Sequence, residues 1–256
     1  MKFLVFILFI GLVSTSLGNP DSSLSLRQRR DVDILANTKG LIQELITNLQ
    51  NSAQQARAAI KTFIKGIQQQ ITLFKQKVQQ DLQKLKDSIL ESIKNITNKI
   101  TSTGPAIIGC IKNGREAVEQ LFAKAHEKSN KCADDRVLYI NKMVDDLSSL
   151  CDGAANYTSI AVKSMQSCNE NNSGLLSVGR CLGSLVVKTE YKGVMFAAQS
   201  SLMISRINLS LVTLPAALEV CSGTSLLSIG SEARTIVSDV ATCSFSSIFS
   251  SPNSSS

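Results

Sequence analysis

The sequence predicts an all-α fold: a long amphipathic helix or helical hairpin, followed by a disulfide-stapled helical bundle. Three observations carry this. Apolar residues from Ile42 to Ile100 recur at steps of three and four, which strand alternation cannot produce. Trp is absent and Pro occurs only 4 times, while Leu, Ile, Ala, Gln and Lys abound, a balance that favours helices over a sandwich or barrel. Seven cysteines, all beyond residue 100, are widely spaced through further helical sequence.

The chain opens on a short positive start, Met1-Lys2, then an unbroken apolar run from Phe3 to Val13 and small residues at Ser16-Leu17-Gly18. This reads as a signal peptide over 1–18, cleaved after Gly18, because the run is too short to span a bilayer. Arg27-Gln28-Arg29-Arg30 reads as a dibasic-type processing site. Residues 19–30 are then a propeptide, and the mature chain begins at Asp31. The net charge of +7 shrinks accordingly: Lys2, Arg27, Arg29 and Arg30 against Asp21 hold three of those charges, which leaves about +4. With no basic-aromatic module in a secreted chain, nucleic acid is not an expected partner.

Residues 31–100 form a Gln/Lys-rich block without Pro. From Ile42 to Ile60 the apolar steps alternate four and three. Beyond that, Ile60, Ile71, Leu82 and Ile93 mark an eleven-residue period, which keeps a stripe nearly straight. The expected partner or lipid surface is this stripe: Ile60, Ile64, Ile67, Ile71, Phe74, Val78, Leu82, Leu85, Ile89 and Ile93. Packing on its own domain, self-assembly and lipid binding all fit it. Gly66 is a candidate bend, so one helix and a hairpin both remain open.

Thr101-Ser102-Thr103-Gly104-Pro105 is a break, with Pro105 suited to start a helix. A cysteine-containing helical domain is expected over 105–245, with a disordered tail over 246–256. Helices are expected near Arg115–Lys128, Asp134–Leu150 (capped by Asp134 or Asp135), Tyr157–Gln166, Leu175–Ser210 with a break near Gly193, and Ser225–Ala241. The interval from Cys110 to Cys132 equals that from Cys221 to Cys243, and each holds Gly-x-Glu-Ala, at Gly114 and Gly230. That hints at a duplicated helical unit.

In an oxidising compartment, Cys110, Cys132, Cys151, Cys168, Cys181, Cys221 and Cys243 read as disulfide cysteines. Seven is odd, so one is free, capped or joined to a second chain. Sequons at Asn95, Asn156, Asn171, Asn208 and Asn253 are candidate glycosylation sites. No CxxC pair occurs and His126 is the only histidine, so neither metal nor cofactor is expected. A Ser-His or Cys-His nucleophile has only that histidine to use. No GxSxG, HExxH, P-loop or dinucleotide fingerprint exists, so no enzyme is expected. Asp134-Asp135 and Asp145-Asp146 are adjacent on a helix and do not converge.

This ladder of single cysteines in a Trp-free helical setting, after a signal peptide and a Gln/Lys-rich lead, resembles insect secreted proteins with the TsetseEP-type domain. The resemblance covers roughly the last 140 residues. It implies an extracellular protein of gut, haemolymph or another secretion, with no catalytic residues. The function expected is that of a secreted glycoprotein acting by binding or assembly through an amphipathic helical surface, in a gut, venom or salivary setting. The alternative is a membrane-active toxin or defence protein, activated when propeptide cleavage frees the amphipathic block.

Overall fold

The structure, a computed structural model, describes residues 23–99, 104–172 and 174–249. Among these there are three helices and no strand: α1 (Ser23–Lys99), α2 (Pro105–Glu170) and α3 (Leu175–Phe249). The signal segment with Gly18, the linker residues 101–103, Asn253 and the last seven residues lie outside the described residues.

The all-α expectation holds, and the finer plan changes. The lead is one helix through Gly66, so the hairpin is excluded. It also does not precede a bundle; it is one of the bundle's helices. The chain forms two compact units, and each draws on all three helices. The smaller takes the chain up to Asn51 with Ala154–Met195. The larger takes Ser52–Gly153 with the chain from Phe196 onward.

The five helices expected after Pro105 are two. α2 runs unbroken through Lys128–Asp135 and through Asp152-Gly153. Its buried positions explain why: Ala125, Ser129, Ala133 and Val137 continue the stripe at the first expected gap, and Cys151, Ala154 and Thr158 at the second. Asp134 and Asp135 are therefore exposed mid-helix residues, not caps. α3 likewise runs through Gly193 and on past Ser210, with Pro215 inside it. Pro215 has no N–H to give the Leu211 carbonyl, which makes it the natural point for α3 to bend.

The helix starts follow local chemistry. Pro105 opens α2, and the Gly104 carbonyl accepts from the N–H groups of Ile107 (3.1 Å) and Ile108 (3.3 Å). Gly174, at φ 102°, precedes α3, and its carbonyl accepts from Ser177 and Val178 (3.2 Å each).

In the larger unit, Arg57 pairs with Asp152 (2.7 Å) and Lys86 with Glu119 (2.5 Å), so α1 and α2 are antiparallel. Lys77 pairs with Glu219 (3.2 Å), and Gly66 sits against Leu211, so α1 and α3 are parallel. The core between them includes Ile67, Phe74 and Val78 of α1, Val118 and Leu147 of α2, and Ile207 of α3. At Gly114 the helices approach so closely that an added Cβ would collide with Val240. In the smaller unit, Ile42, Ile46, Ala161, Cys168, Leu182 and Leu185 form the core. Beside it the Tyr157 hydroxyl meets that of Thr189 at 3.2 Å.

Candidate functional site

The stripe expected to face a partner is spent inside the larger unit. Ile60, Ile67, Phe74, Val78, Leu82, Ile89 and Ile93 are buried, and Ile71 and Leu85 are half-buried. Ile64 alone among the ten is exposed. The reason is simple: a helix flanked by two others buries its apolar stripe against them, at about 25 cal/mol per Å². The partner-surface assignment on α1 is thereby corrected.

Three bridges link the cysteines: Cys110–Cys243, Cys132–Cys221 and Cys168–Cys181. Cys151, grouped above with the bridging residues, is instead a free buried thiol. Burial raises its pKa, and neighbouring Asp152 adds to this, while Arg57 opposes it. The equal intervals 110–132 and 221–243 also find an explanation. On antiparallel helices, a step of 22 residues along α2 matches the same step along α3, so both bridges stay in register. The duplicated-unit reading loses its basis further at the glycines, since Gly114 abuts Val240 and Gly230 has nothing near it.

Asn95, Asn156, Asn171 and Asn208 are exposed, as a glycan requires. Arg27, Arg29 and Arg30 fall within the helical backbone of α1. His126 is exposed and hydrogen-bonds Asn130 through Nδ1 at 3.0 Å, an i,i+4 surface pair. Among the described residues, no group of three or more His, Cys, Asp or Glu is placed to hold a metal ion.

Exposed apolar side chains occur on all three helices, Leu73 on α1 and Ile108, Leu138 and Tyr139 on α2 among them, and α3 carries the most. In the larger unit Leu202, Leu209, Val212, Val220 and Leu227 are each 53–79% exposed. At 3.6 residues per turn they fall within roughly 80° of arc. The only charges on α3 between Phe196 and Gly230 are Arg206 and Glu219. Both lie outside this arc, and Glu219 is already paired with Lys77. Phe245 extends the same side. In the smaller unit, α3 also exposes Val187, Tyr191 and Val194. Among the described residues, α3 alone is long and apolar enough to cross a membrane by composition, yet only 17% of its most apolar 18-residue stretch is buried. A soluble core helix of that hydropathy would be mostly buried.

This face was legible in part. Leu202 to Val220 stands out as the most apolar stretch after the signal peptide, and the default expectation for it is a core helix. Half of that holds: Ile207, Leu214 and Leu218 are core, and the other side of the same helix is bare.

No family model matches this chain, and neither a curated protein nor a solved structure is similar to it. The TsetseEP-type resemblance therefore rests on the cysteine ladder and its setting alone.

Proposed function

We propose that this chain is a secreted, processed, disulfide-stapled helical glycoprotein that works by binding or assembly, in a gut fluid, venom, saliva or similar secretion. Its working surface is the exposed face of α3 in the larger unit. The carrying observation is the uncharged row of Leu202, Leu209, Val212, Val220 and Leu227, large apolar side chains left in water when other parts of the same helix are buried. Three disulfides fit an oxidising compartment and a body that resists proteolysis. Catalysis is no part of this reading.

The test is the secreted protein against its Leu209→Glu/Val212→Glu variant. The wild type is expected to bind a hydrophobic dye, adsorb to apolar matrices and associate. The variant should lose these with unchanged helicity. Equal behaviour of the two would remove the α3 face as the working surface.

The membrane-active reading is favoured by one observation, the apolar and largely exposed stretch of α3. In this reading cleavage has to draw the 31–100 stripe out of the core, where most of it is buried. Dye release from vesicles by the Asp31 form, and none by the proform, is what this reading requires.

A further inference from the structure

The exposed face of α3 has a second column beside its bulky row. Ala198, Ser205, Ala216 and Gly223 are all exposed and lie within the same roughly 80° arc as the row. Building on the binding role given to this face, we infer that its partner is a second copy of this chain, packed antiparallel about a two-fold axis between Val212 and Thr213.

The two columns are complementary under that operation and not under an arbitrary slide. Leu202 comes level with Gly223 of the second copy, Leu209 with Ala216, Val220 with Ser205 and Leu227 with Ala198. Four of the five bulky side chains thus meet a small one, which lets the helix backbones approach closely. Along the seam, bulky residues of alternate copies stand level with positions 198, 202, 205 and 209, then 216, 220, 223 and 227. Those steps of four and three are the spacing of interdigitating helices. The central gap from 209 to 216 receives Val212 from both copies.

Charge and area agree. The arc carries no ionised group from Ala198 to Leu227, so no like charges are brought together. That segment spans roughly 45 Å at about 1.5 Å per residue, and a helix is roughly 10–12 Å across. The two copies together would cover about 1,000 Å², near the lower limit for a specific interface, so the dimer is reversible and not obligate. An isologous pair of this kind is also the commonest form of assembly. Asn208 lies about 40° outside the arc, so a glycan there flanks the seam.

Sedimentation equilibrium of the secreted full chain over a micromolar concentration series tests this. A monomer–dimer equilibrium is expected, with dissociation on dilution. Leu209→Glu should leave only monomer at wild-type helicity, while Leu176→Glu, on α3 in the smaller unit and 88% exposed, should dimerise as wild type does. Ala216→Trp separates a specific seam from general stickiness: it adds apolar surface yet fills the space opposite Leu209, so it should weaken the dimer at least tenfold. Thr213→Cys, beside the axis, should give a reductant-sensitive dimer on oxidation. A wild type that stays monomeric throughout, or an Ala216→Trp variant that dimerises as well or better, overturns the pairing. In the monomeric case, binding of phosphatidylcholine vesicles that Leu209→Glu abolishes would assign the face to lipid, and the binding role would survive without the dimer.

Discussion

Cys151 shows what one side chain's surroundings decide. It occupies a core position of α2, in line with Leu147 and Ala154, and has no bridge. Its thiol is expected to ignore a thiol reagent in the native protein and to react as one equivalent per chain in denaturant; rapid native labelling would contradict the burial. Because the folded pKa is raised, the neutral thiol's contribution is complete below the unfolded-state pKa and is lost as pH climbs through the folded value. Thermal stability should therefore fall on the alkaline side, and Cys151→Ala should flatten that part of the profile. Parity alone announces an odd cysteine in the sequence. Which one it is depends on the register of α2 against α3, which the equal intervals 110–132 and 221–243 fit without singling out Cys151. Gly114 is a second case. A methyl group there meets Val240, so Gly114→Ala should cost about 1–3 kcal/mol. Gly153→Ala, on the same helix with open space around it, should be neutral or stabilising by up to about 1 kcal/mol. Chemical denaturation of the two variants side by side measures the difference.

The helices themselves were legible wherever large aliphatic residues marked the stripe. α1 is the clearest case: its steps of three and four predict a helix, and its buried face follows those residues from Ile42 to Ile93. The sequence misled where the stripe passes through small or polar residues. Ser129, Ala133, Thr158, Thr189, Ser200 and Ser225 are buried helix positions that look like loop composition, so two long helices read as five short ones. What the stripe faces is a separate matter, because periodicity names an apolar side and is silent on what covers it. Hence the α1 stripe, which fits packing, self-assembly and lipid binding alike, turns out to be mostly core, and the apolar stretch of α3 is core on one side only. The bridges hold α2 to α3, and each closes a loop of different length. In the chain-entropy account a loop of about 15 residues contributes about 3 kcal/mol and one of about 100 about 4.7 kcal/mol. Replacing both cysteines of the 168–181 bridge, whose separation is 13, should therefore destabilise less than replacing those of the 110–243 bridge, whose separation is 133. Urea midpoints of the two double Ser variants decide this, and the reverse order would show that strain or local packing outweighs loop closure.

At the scale of the whole chain, the two functional readings part at the processing site. Arg27 to Arg30 lie in helical backbone, only a few residues inside the start of α1 at Ser23. Proteases bind extended segments, and a helix end frays at little cost, so cleavage after Arg30 needs the first turns to open and nothing more. The stripe that holds α1 in its units begins beyond that point, with buried residues from Ile42 onward. Cleavage should therefore shorten α1 and leave the units standing. The new start, Asp31-Val32-Asp33, brings carboxylates to a helix N-terminus whose first turn otherwise has no acidic residue, which favours the helix by about 0.3–1 kcal/mol per charge at most. The new α-amino group offsets part of that. We expect the proform and the Asp31 form to have melting temperatures within a few degrees of each other. Their helical signals should differ only by the handful of residues removed, and their association through α3 should be equal. A cleaved form that melts far lower, or that gains vesicle lysis absent from the proform, would mean that α1 leaves its packed position on processing. Activation of a membrane-active protein would then displace the constitutive binder.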